Sequence, residues 1–95
     1  MTVLLFERHP VDPHRAPEFE QLVDEVLVHL RAAAGSLWAE AARFLDADPS
    51  YVLASEWRTE ADADAWTSSA HARWFVDAID PLLRGDVTRR TFAAS

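Results

Sequence analysis

The sequence predicts an α+β fold, a four-stranded antiparallel sheet with its helices on one face, in the order β-α-β-β-α-β. Three observations predict it. A short apolar run, Val3-Leu4-Leu5-Phe6, is followed by an amphipathic stripe from Phe19 to Leu30; two strand-like runs flank turn-forming residues at 46–50; and a second helical region precedes a β-branched and aromatic ending. That order is ferredoxin-like. The 95 residues, 49% of them hydrophobic, are expected to form one domain over 1–95, since so short a chain cannot divide into two useful cores.

The first strand covers Val3–Phe6, apolar at every position, which suggests cover on both faces. His9-Pro10-Val11-Asp12-Pro13 follows, and two close prolines predict that the strand gives way to a loop. From about Pro17 to Ala34 the apolar residues Phe19, Leu22, Val23, Val26, Leu27 and Leu30 pair at spacings of three and four, one stripe of a helix. Acids near its start suit the positive end of the helix dipole, and Gly35 is a good C-terminal cap.

Ser36–Leu45 reads as a second strand, with Leu37, Ala39, Ala41 and Arg43 on one side and Trp38, Glu40, Ala42 and Phe44 on the other. Neither side is simply polar. The turn Asp46-Ala47-Asp48-Pro49-Ser50 leads back into Tyr51–Trp57, giving a hairpin. Thr59 is a plausible N-cap, with Asp62 in the capping-box position. A helix over Glu60–Thr67 is interrupted at Ser68-Ser69, after which Phe75, Ala78, Ile79 and Leu82 mark a second segment closed by Pro81. Gly85 turns the chain, and Val87–Phe92 supplies the last strand.

Composition narrows the function classes. With no cysteine there is no disulfide framework or thiolate metal site, and a soluble protein of the reducing cytoplasm is expected. No apolar run approaches the roughly 20 residues that cross a bilayer, so no membrane partner is expected. A net charge of −7 with no dense basic cluster argues against nucleic acid. His9 and His14 flank prolines, His29 lies on the first helix, and the four histidines have no helical metal-ligand spacing, so no metal site is expected.

An antiparallel sheet with helices on one face should show polar alternation on the other. Here Val3 and Leu5 lie opposite Leu4 and Phe6, and strand two has Trp38 and Phe44 opposite Leu37 and Leu45. Something apolar must cover the second face. A second copy of the chain is the simplest cover, which predicts a homodimer.

Tyr51-Val52-Leu53-Ala54-Ser55-Glu56-Trp57, then Glu60-Ala61-Asp62, then Ser69-Ala70-His71-Ala72-Arg73-Trp74-Phe75 resembles the second half of the antibiotic-biosynthesis monooxygenase (ABM) family, in which a strand ending Glu-x-Trp precedes a helix with Ser-x-His and a nearby Phe. The Phe19–Leu30 helix and Gly35 match its first half. The resemblance implies a dimeric α+β barrel. It also implies a monooxygenase that oxidises a small aromatic or quinol-like molecule with dioxygen and no permanent cofactor. An electron-rich phenol, once deprotonated, can reduce oxygen itself, so the protein need only bind it, favour the anion and exclude water. A non-catalytic small-molecule-binding or accessory dimer is the alternative.

The resemblance also nominates site residues. Trp57 corresponds to the strand-end tryptophan and could donate its indole N–H to a substrate oxygen; Ser55 and Leu53 share its face by the period of two. His71, with an ordinary pKa near 6.5, suits proton transfer. Phe75 would line the pocket, and Glu7 could face it as a carboxylate base. Plainer readings exist for each: a core tryptophan, a solvated histidine at a helix start, a solvated acid at a strand end. The chain departs from phenol-oxidising members at Leu53 and Ala63, where they can use Asn and Tyr. From haem-degrading members it departs at Glu7 and Val76, where they use Asn and His.

Overall fold

The structure, a computed structural model, describes residues 1–45 and 49–94. β1 (Thr2–Pro10), α1 (Ala16–Ala32), β2 (Ser36–Arg43), β3 (Ser50–Trp57), α2 (Glu60–Thr67), α3 (Ala70–Ile79) and β4 (Thr88–Ala94) follow in the expected order. The sheet runs β2-β3-β1-β4, every pair antiparallel, which is the ferredoxin-like arrangement. Asp46, Ala47 and Asp48 of the expected turn lie outside the described residues. The end of that hairpin is closed by Phe44 N–H donating to the Ser50 carbonyl at 2.9 Å.

β1 outruns its expected end at the prolines. Its pairing with β4 stops at Arg8↔Thr88, whereas pairing with β3 continues to Pro10↔Ser50. Pro10 therefore lies beyond the β4 ladder, where a missing N–H disturbs least. This correction matters for the site, because it puts Leu5, Glu7 and His9 on one face of one strand. A 3₁₀ turn at Pro13–Arg15 then leads into α1.

α1 buries Phe19, Val23, Val26, Leu27 and Leu30, five residues of the expected stripe, each stabilising by roughly 1.5–3 kcal/mol when fully buried. Its end differs from expectation. Ala33, in extended backbone at φ −68° and ψ 146°, is the C-cap, and Gly35 follows in the turn at φ 82°. There Gly35 accepts the Arg58 N–H at 2.9 Å, tying the turn to the chain beyond β3. The Ser68-Ser69 break is real: Thr59 caps α2 by accepting Asp62 N–H, and Ser69 caps α3 by accepting Ala72 N–H. Pro81 lies in a 3₁₀ turn, Asp80–Leu82, that closes α3.

The helix-facing side of the sheet presents Leu5, Ala39, Tyr51, Leu53 and Trp57 to a core shared with α1 and α3. The other side carries Leu4, Phe6, Val52, Trp38 and Phe92, with Phe6 and Phe92 edge to face at 5.7 Å. Trp38 is 39% and Phe92 47% exposed there. A register shift between Ser36 and Trp38 turns Leu37 out as well. The charges on this side pair locally: Glu56 accepts from Thr2 Oγ1 and, at 2.6 Å, from Trp38 Nε1, while Arg8 lies 4.6 Å from the Phe44 ring centre. No helix among the described residues is long and apolar enough to cross a membrane.

Candidate functional site

Among the described residues, hollows of about 300–390 Å³ include three whose walls can be compared. What separates them is the chemistry of their walls. The groove between α1 and β2 is lined by Glu20, Arg43 and Tyr51, and the tyrosine hydroxyl is already committed to Glu20 at 3.0 Å. The hollow beside α1 and the α2–α3 break has alanines for much of its wall, with His29 and His71 at its edge.

The third, about 300 Å³, lies among β1, α3 and the chain entering β4. Phe75, Val76 and Leu83 give it an apolar wall, while Glu7, His9 and Arg89, with Asp80 and Asp86, bring five ionisable groups onto it. Such an apolar recess with a few convergent polar groups is what small-molecule sites look like. A narrow recess of about 20 Å³ shares Glu7, Phe75, Val76 and Arg89 and reaches Leu53 and Trp66.

Backbone placement explains this convergence. Glu7 and His9 are two apart on β1 and so share the helix-facing side, and Arg89 pairs opposite Glu7 on β4. The Arg89 guanidinium donates to Glu7 Oε2 from Nη2 at 2.9 Å and from Nε at 3.2 Å. The Glu7 side chain is 13% exposed, and a carboxylate so enclosed is held by that partner.

His9 is 3% exposed, and its Nδ1 is buried with no hydrogen-bond partner. Its ring sits between Phe19 and Phe75, at 5.6 and 5.9 Å between centres. Burial holds the His9 pKa below its usual value; the Glu7 carboxylate and a backbone group of Tyr51 oppose that, and Arg89 adds to it. A consequence can be measured. With the folded-state pKa below the unfolded 6.5, protons bind the unfolded chain first, so this group's contribution is intact above about 6.5 and is lost as pH falls towards the folded value. Denaturant titrations across pH 7 to 5 are expected to show wild type losing more stability than His9→Phe; equal slopes would mean that His9 is not held neutral by the fold.

The residues nominated from sequence separate into two groups. Glu7, Phe75 and Leu53 come together at this cavity and its recess. Trp57 and Ser55 do not line it. Trp57 is wholly buried, its ring 6.2 Å from that of Trp66, and its indole N–H donates to Ser55 Oγ at 2.9 Å. His71 is exposed, stacked on His29 at 3.8 Å between centres on the helix surface. His9 escaped sequence reasoning because the prolines implied a loop; the signal was the period-two series Leu5, Glu7, His9, legible only once the strand is carried to Pro10. No group of three or more His, Cys, Asp or Glu among the described residues is arranged to hold a metal.

The sequence model of the family described as antibiotic biosynthesis monooxygenase matches residues 1–78. No curated protein matches the chain. Among solved structures, Rv0793 from Mycobacterium tuberculosis is similar with TM-score 0.91 and 20% identity, covering 100% of this chain and 96% of that one. A conserved protein from Methanosarcina mazei Go1 gives TM-score 0.93 at 15% identity, covering 100% and 94%. The crystal structure of an antibiotic biosynthesis monooxygenase gives TM-score 0.85 at 21% identity, covering 98% of each chain. At these identities the likeness concerns the fold.

Proposed function

Since the chain belongs to the antibiotic biosynthesis monooxygenase family, we propose that it is a cofactor-independent monooxygenase oxidising a small phenol- or quinol-like molecule with dioxygen. The observation that carries this reading is the β1–α3–β4 cavity. Its volume suits a ligand of one or two rings, Phe75 offers an aromatic face, and Glu7, His9 and Arg89 are the groups that can handle a hydroxyl proton and the resulting anion. An apolar wall also excludes water from the electron-rich anion that must meet oxygen.

Oxygen uptake tests it. Hydroquinones, naphthols and anthrones are expected to include at least one compound consumed faster with protein than by autoxidation, and Phe75→Ala should slow that rate. No acceleration across the panel would leave the second reading, a ligand-binding dimer without catalysis. One observation favours that second reading: the indole N–H of Trp57 is occupied by Ser55, and His71 stands outside the cavity.

The sheet side away from the helices supports a homodimer, because Leu4, Phe6 and Phe92 otherwise leave an apolar face in water. Light scattering at micromolar concentration should give twice the chain mass. Phe6→Glu, which puts a charge in the middle of that face, should return the mass of one chain with the circular dichroism of a folded protein.

A further inference from the structure

We propose that the His9 imidazole is the proton acceptor of the β1–α3–β4 cavity, taking the proton from the hydroxyl of a phenol- or enol-class ligand. This rests on the functional reading above, and assigns to β1 the role that sequence had given to His71.

His9 is almost wholly buried, yet Nδ1 has no partner. A buried polar atom left unsatisfied is uncommon and costly. The imidazole ring also lines the adjoining cavity, where a ligand hydroxyl can meet it. The rings of Phe19 and Phe75 hold the imidazole in place, so little ordering remains to be done on binding.

The surrounding charges favour the product of the transfer. Glu7 on the same strand stabilises an imidazolium, and Arg89 on β4 stabilises a ligand oxyanion. Tyr51 on β3 faces His9 across the ladder, and Asp80 and Asp86 also line the cavity. Because burial keeps the free imidazole neutral at neutral pH, it is ready to accept. In the step itself the ligand O–H bond breaks, an N–H bond forms on the ring, and the electron pair stays on the ligand oxygen. No oxidant takes part.

The other histidine pair does not compete. His29 and His71 are exposed and stack on each other at a different hollow, away from Glu7 and Arg89.

The test uses two probes of the same shape: 4-nitrophenol, whose absorption reports its ionisation, and nitrobenzene, which has no hydroxyl. Wild-type protein should bind both and raise the ionised fraction of bound 4-nitrophenol above that of the free probe at the same pH. His9→Phe should keep nitrobenzene affinity, lose the extra ionisation and weaken 4-nitrophenol by about ten-fold. Unchanged ionisation in His9→Phe overturns the assignment alone. If wild type takes up neither probe, the cavity reading fails, and the assignment with it. Should His9→Phe not fold, imidazole nitrogen NMR of wild type decides: adding 4-nitrophenol must turn the His9 ring from neutral to imidazolium, and an unchanged signal overturns the proposal.

Discussion

Replacing Trp57 with alanine is expected to cost about 3–5 kcal/mol of stability, the range for deleting a large buried aromatic. Its side chain is wholly enclosed between β3 and the helices, against the Trp66 ring, and its indole is bonded to Ser55. Trp57→Phe keeps most of the ring volume but leaves Ser55 Oγ buried without its donor, and should cost about 1–3 kcal/mol. Chemical denaturation measures both. If either variant instead kept its stability and lost affinity for a cavity ligand, Trp57 would be a wall of the site rather than part of the core.

Gly35→Ala is expected to cost about 2–4 kcal/mol, two mechanisms acting together. The residue sits at φ 82°, where a side chain is strained, and an added Cβ would fall 2.2 Å from Asp62 Oδ2 and 2.6 Å from Asp62 Cβ. The second contact is decisive. A carboxylate can swing away, but Asp62 Cβ moves only with the backbone at the start of α2. Adding Asp62→Gly to Gly35→Ala should restore the part due to overlap and leave the part due to φ, with melting temperature moving by about 4–8 °C for each kcal/mol. Full recovery would mean that the turn conformation carries no strain.

What sequence conveyed, and what it did not, follows from the range over which each signal acts. α1 was legible because burial of a helix face imposes its period on one continuous segment, and Phe19 to Leu30 satisfies it without tertiary information. The Ser68-Ser69 break was legible for the same reason, since capping is local. Pro10 misled because whether a proline ends a strand depends on which neighbour needs its N–H, and here β4 stops short of it. Gly35 misled less: a glycine does end the helical stretch, but it sits in the turn past the Ala33 cap rather than at the cap itself.

The site divides along the same line. Leu53 was placed on the Trp57 face of β3 by the period of two, whereas Glu7 and Phe75 were nominated by the resemblance; the three lie together at the cavity and its recess. Whether Trp57 points its indole at a ligand or at Ser55 depends on a hydrogen bond between neighbours two residues apart, which no periodicity decides. His71 follows a cap that fixes where α3 starts, yet its exposure depends on which face α3 turns to α1.

The strand that carries Arg89 is the least anchored in the sheet. β4 hydrogen-bonds to β1 alone, stands at an edge, and buries none of its described side chains in the single chain. Edges held this way open locally at low free energy, so β4 amides should exchange with deuterium well before those of β1 and β3. Arg89 therefore reaches the cavity from the strand that the rest of the sheet holds least, and its bond to Glu7 is what ties that wall to β1.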